Sequence, residues 1–252
     1  MVRAGPVQAF LLAAIAVGVL FLSAPGCGKK RTPTSEENVP SGTIGSAAAP
    51  VQSAPSWAPR AIAKLDMHTH IDPEIALPAR RFLEAQGLGR VVNLSGGWVG
   101  EGLEETLGAA KATSGYYIVF ANINFEGIGT PKWGAREVAQ LERAKALGVR
   151  GVKIAKNLGL GVKFPDGRRV PVDDPVLDPV FDAMAKLHLP LAIHTGDPKA
   201  FFDPMGPGNE RMDELASHPM WSFADRTRFP TWEGLYGEFE RRVKRSKDTT
   251  II

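Results

Sequence analysis

From Ala61 onward, apolar and polar residues fall into short blocks of two alternating kinds. Apolar, strand-like runs at 62–70, 90–94, 116–124, 149–155 and 190–194 predict strands, and a last one starts near Thr249. Between them, 78–86, 100–111, 135–147, 175–187 and 231–244 carry helical patterns. Gly87, Gly115 and Gly148 follow helical segments, where a left-handed residue often ends a helix. Asp173-Asp174-Pro175 offers an N-cap and a proline near the first turn. Repeated strand–helix units imply a parallel sheet with helices packed on it.

The polar residues narrow the architecture. His68, His70, Asn93, Asn124, Lys153 and His194 all fall near the C-terminal ends of their predicted strands. Functional groups at the same end of successive parallel strands are what a (β/α)8 barrel provides. A doubly wound open sheet also places its site at strand ends, but more typically with a glycine-rich phosphate loop after its first strand. Here that position holds His68-Thr69-His70-Ile71-Asp72-Pro73, and Ser95-Gly96-Gly97 after the second strand reads as a plain turn. The expected fold is therefore α/β, a TIM-like (β/α)8 barrel that is incomplete: about five units and the start of a sixth strand.

His68 and His70 sit two apart on one strand, so they share a face. Paired imidazoles at a strand end can chelate one cation. His194, at the end of the fifth strand, is the candidate third ligand, and three protein ligands with an open position suit a catalytic divalent ion. Such an ion lowers the pKa of bound water and polarises a carbonyl. Zinc is the default for an imidazole-rich site, with manganese, iron and nickel open.

Lys153 ends the fourth strand. It reads either as a polar group at the barrel mouth or as a lysine carboxylated by carbon dioxide, and Lys156 competes with it. Asp197 either orients His194, binds substrate or caps the next loop, and Asp66 is a candidate to support the paired histidines. His188 reads as a surface or C-cap residue. The long segment 201–229 contains His218, and its Phe202, Trp221 and Phe223 form either a substrate-covering lid or a small satellite core.

In combination, the His-x-His strand, GVKIAKNLGL (151–160), VDDPVLDPVFDA (172–183), LAIHTGDP (191–198) and FPTWEGL (229–235) resemble the amidohydrolase-related family, amidohydrolase family 2. The resemblance covers roughly 62–252. It implies a TIM-like barrel, metal-dependent hydrolase or decarboxylase chemistry on a small molecule, and His68, His70 and His194 as metal ligands. The family also uses a histidine just beyond the sixth strand as acid–base and an aspartate after the eighth strand. The chain ends at Ile252, inside its sixth predicted strand, before either position. On that basis it is expected to be a fragment or truncated product that binds metal without efficient turnover. Hydrolysis of an amide, ester or lactone is the first expectation. A non-oxidative decarboxylase and a catalytically incomplete binding lipoprotein are the alternatives.

The N-terminal part has a different texture. Arg3 precedes an apolar run at 7–22, short for a spanning helix of about 20 residues but suited to a secretory signal. Cys27, the single cysteine, excludes an internal disulfide. Its place after Ala24-Pro25-Gly26 resembles a bacterial lipoprotein signal, although leucine is usual where Ala24 stands. A cleaved signal and an uncleaved anchor are the rivals. The expectation is export to the periplasm or cell envelope, with membrane anchoring through the N-terminus. Residues 1–27 form the signal, 28–60 a flexible Pro/Ser/Ala-rich linker, and 61–252 the partial barrel.

Charge adds little. The 252 residues carry a net charge of +3, and 44% hydrophobic and 23% charged content is ordinary for a globular protein. The basic run Arg241, Arg242, Lys244, Arg245 and Lys247 reads as a solvated helix face, and no nucleic-acid partner is expected. Oligomeric state is not legible.

Overall fold

The computed structural model describes residues 64–252. The expected signal and linker, with Cys27, lie outside the described residues. Five strands form the sheet: β1 (Lys64–Thr69), β2 (Leu88–Asn93), β3 (Tyr117–Asn122), β4 (Gly151–Ile154) and β5 (Leu191–Ile193). The helices are α1 (Ala76–Ala85), α2 (Leu103–Ala112), α3 (Trp133–Leu147), α4 (Asp178–Lys186), α5 (Met212–Ser217) and α6 (Trp232–Arg245). Among the described residues, no helix is long and apolar enough to cross a membrane.

The strands pair in sequence order, β1-β2-β3-β4-β5, and every pairing is parallel. Ile251 bridges Leu191 in parallel, and Leu191 N donates to Thr250 O at 2.8 Å. A sixth strand thus begins beside β5. Five βα units joined in order, with a sixth strand entering, constitute an incomplete (β/α)8 barrel.

Strand alternation sorts the apolar side chains into two layers. Val91, Val119, Ala121, Val152, Ile154 and Leu191 join the large core with helix residues such as Leu103, Leu141, Phe181 and Met184. Val92, Leu94 and Phe120, with Ile118 and Ala192, form a separate small cluster on the inner face. Gly151 belongs to this inner packing: a Cβ there would lie 2.4 Å from Phe120 Cζ, so the Phe120 ring occupies the space a side chain would need.

Local signals explain the element ends. Gly87, Gly115 and Gly148 have φ of 79°, 72° and 111°. Asp174 accepts from Val176 N at 2.9 Å and starts a 3-10 turn, Pro175–Leu177, that runs into α4. The predicted third strand ends early, at Asn122. Asn124 N donates to the Glu137 carboxylate of α3 at 3.1 Å rather than to a neighbouring strand. Helix α5 was not expected; at six residues it is too short for a periodic signal.

Two expectations need correction. Arg242 is not on a solvated face: it is 1% exposed. Its guanidinium donates to Val172 O, Asp174 O and Asp178 and lies 4.5 Å from the Phe181 ring centroid. Beside it, Arg169 forms a two-pronged pair with Glu238, whose Oε2 also accepts from Val172 N at 3.1 Å. These contacts seat α6 on the β4–α4 connection. The aromatic residues of 201–229 are also no lid: Phe202 and Phe223 are buried in the main core with ring centroids 5.1 Å apart, and Trp221 packs against it.

Candidate metal centre at the strand ends

β1 delivers His68 and His70 side by side, with ring centroids 5.3 Å apart. Both are exposed. Asp66 does not reach toward an imidazole ring: its Oδ1 accepts from the His68 backbone N–H at 2.9 Å. The segment after His70 is held by Asn93, which is buried at the end of β2. Asn93 Oδ1 accepts from both Ile71 N and Ser95 N at 3.1 Å, and its Nδ2 donates to Ile71 O at 2.8 Å. Ser95 Oγ and His70 Nδ1 are 2.7 Å apart.

Lys153 follows Gly151 by two on β4, and His194 follows Ala192 by two at the end of β5. Gly151 and Ala192 pack on the inner face, so alternation puts Lys153 and His194 there as well. Lys153 is 5% exposed. Burial lowers its pKa, and among the described residues no carboxylate pairs with it. Lys156 differs: its Nζ donates to Asp197 Oδ2 at 2.7 Å. The other Asp197 oxygen lies 3.8 Å from His194 Nε2.

The electrostatics link these groups. Although His70 is exposed overall, partial desolvation of its ring is the first cause lowering its pKa, followed by the charges of His68, Lys153 and His194. His194 is also lowered, chiefly by burial, with Asp197 opposing and Lys153 and Lys156 adding to the shift. Both imidazoles are thereby biased toward the neutral form, the form that binds metal.

The histidine pair is thus together, with Lys153 and His194 close enough to act on His70, and Asp197 attends His194. Asn124, His188 and His218 stand apart from the pair. Asn124 organises the β3–α3 loop, His188 is exposed with φ of 50° after α4, and His218 stacks on Trp221 at 3.9 Å. The Ser95-Gly96-Gly97 turn is more than a plain turn, because it is pinned to β3. A Cβ on Gly96 would meet Phe120 O at 2.0 Å, and Gly97 N donates to Asn122 Oδ1 at 2.8 Å. Asn122 Nδ2 also donates to Leu94 O. A serine and an asparagine at strand ends carry no distinctive sequence signal, so these supporting residues emerge only from the contacts.

In donor chemistry the residues fit a divalent cation: two imidazoles side by side on β1, of which His70 is biased to neutrality and has its Nδ1 engaged. As they stand, no group of three or more His, Cys, Asp and Glu side chains among the described residues is placed to hold an ion. The structure supplies the pair, with His194 at hand rather than in place.

The family model described as Amidohydrolase matches residues 65–230, and the chain belongs to that family. Among solved structures, 2,6-dihydroxybenzoate decarboxylase from Rhizobium is similar at 14% identity and TM-score 0.47, over 75% of this chain and 65% of that one. An amidohydrolase described as putative, from Staphylococcus aureus, is similar at 12% identity and TM-score 0.48, over 75% and 66%. A 5-carboxyvanillate decarboxylase from Novosphingobium aromaticivorans, complexed with manganese, is similar at 20% identity and TM-score 0.39, over 68% and 47%. The chain spans 65% of the length of the first of these. At such scores the likenesses carry no argument about chemistry. No curated protein matches the chain.

Proposed function

We propose that the chain carries the metal-holding residues of an amidohydrolase-family enzyme that hydrolyses an amide, ester or lactone. The observation that carries this reading is the His68–His70 pair, rings 5.3 Å apart at the end of β1, with Lys153 and His194 put on the inner face of the sheet by strand alternation. His68, His70 and His194 would hold a divalent ion, with zinc as the first expectation. When bound, that ion supplies Lewis acidity, which activates water and polarises a carbonyl. Asp197, held by Lys156, places a carboxylate 3.8 Å from His194 Nε2 and opposes the lowering of its pKa. Lys153, buried and without a carboxylate partner among the described residues, presents a cation to the carbonyl oxygen of a bound substrate. The proposal keeps its expected setting: export through the N-terminal signal, with tethering to the cell envelope.

The test is cobalt titration of the full chain and of His68→Ala, followed by assay of the loaded protein on ester, lactone and aromatic carboxylate substrates. The reading expects histidine-ligated cobalt absorption that His68→Ala abolishes, with water added across a carbonyl by any chain that turns over. Release of carbon dioxide from the aromatic carboxylate would replace hydrolysis by decarboxylation. Absence of cobalt binding would leave a non-catalytic binding protein.

A further inference from the structure

We propose that Ser95 is a positioning residue for His70: its Oγ accepts from His70 Nδ1–H and so leaves Nε2 bare and aimed at the cation. The inference rests on the cation-holding role proposed above. Its basis is how the 2.7 Å contact is built. Both partners are exposed, and two exposed polar side chains meet by chance often enough that the contact alone means little. Here, however, the backbone on both sides is clamped. One buried amide, Asn93, holds the residue next to His70 by its N–H and its carbonyl, and the same Oδ1 holds Ser95 N. The separation between the imidazole and the hydroxyl is thus set by a single side chain that is 2% exposed.

The rest of the turn is pinned as well. Gly96 lies so close to Phe120 O that a Cβ would sit 2.0 Å from it. Gly97 and Asn122 exchange two hydrogen bonds: Gly97 N donates to Asn122 Oδ1 at 2.8 Å, and Asn122 N donates to Gly97 O at 2.7 Å. The turn is anchored to β3 through one residue and to the His70 segment through another. A support of this kind restricts the rotation of the ring. With Nδ1 occupied, the remaining nitrogen is the ligand, and groups that hold the far nitrogen of a metal-binding histidine fix both tautomer and orientation. His68 has no side-chain hydrogen bond of this kind among the described residues, so His70 is the pre-set member of the pair.

Two measurements on the full chain test this. The first is the imidazole 15N spectrum of the metal-free protein, with the His70 signal assigned by His70→Gln, in wild type, Ser95→Ala and Ser95→Thr. The expected result is His70 as the Nδ1–H tautomer in wild type, a tautomer mixture in Ser95→Ala, and the wild-type pattern in Ser95→Thr. The second is cobalt titration of the same variants. Ser95→Ala is expected to weaken binding about 10- to 100-fold, Ser95→Thr to restore it, and the control His188→Ala to leave it unchanged. A wild-type His70 protonated on Nε2, or a Ser95→Ala variant matching wild type in both measurements, would overturn the proposal. The two readings fail separately: a tautomer set by Ser95 in a protein that takes up no cobalt removes the cation and keeps the contact.

Discussion

Replacing Arg242 by methionine should destabilise the fold by about 2–4 kcal/mol. The side chain is 1% exposed and makes three separate attachments. Its Nε donates to Val172 O at 3.1 Å, Nη2 to Asp174 O at 2.6 Å and Nη1 to Asp178 Oδ1 at 2.6 Å. Burial lowers its pKa, with Asp178 opposing, so the charge is held there against a desolvation cost. Methionine keeps much of the apolar contact with Phe181. It leaves two carbonyls without this donor, at about 1–3 kcal/mol each where they are buried. Asp178 is 38% exposed and returns to water at little cost. The neighbouring Arg241 is the internal control. It pairs with Asp173 but is 60% exposed, so Arg241→Met should cost at most about 1 kcal/mol. Urea unfolding of the full chain, followed by tryptophan fluorescence, reads both variants as midpoint shifts at an unchanged slope. Equal shifts for the two, or a loss below about 0.5 kcal/mol for Arg242→Met, would refute the claim that this arginine seats α6.

Two further outcomes follow. Burial raises the Glu137 pKa, against the donors Arg136 Nε and Asn124 N. A raised carboxyl contributes stability that is full below the unfolded value and is lost as pH climbs through the folded one. Glu137→Gln should therefore gain on wild type as pH rises above the ordinary carboxylate range in paired urea unfolding curves, and a constant gap would contradict the assignment. Gly151→Ala places a methyl 2.4 Å from Phe120 Cζ and should cost about 1–3 kcal/mol. Phe120→Leu in the same chain should recover part of that loss, and no recovery would mean the strain lies elsewhere.

Five of the six expected strands and every expected helix within 64–252 are present, the sixth strand being represented by the bridge of Ile251 to Leu191; each rests on short-range rules that act within a few residues: apolar alternation, glycine at left-handed positions, and Asp174 before Pro175. Parallel order and the meeting of His68 with His70 followed from the same local periodicity. Contacts between distant segments decided the rest. Helical spacing puts Arg242 on the Leu235 face of α6 and Arg241 beside it, but that a charged residue is buried there was decided by Phe181, Asp178 and Asp174, which come from 61 to 68 residues earlier. Lys156 competed with Lys153 in the sequence, and only the fold separates them: Asp197, just past β5, pairs with Lys156, while Lys153 is buried with no carboxylate partner among the described residues. Ser95 looked like a turn residue until Asn93 joined it to the His70 segment. Secondary structure was legible because its causes lie along the chain. The supports of the site were not, because hydrogen-bond partners and burial depend on which elements fold against each other.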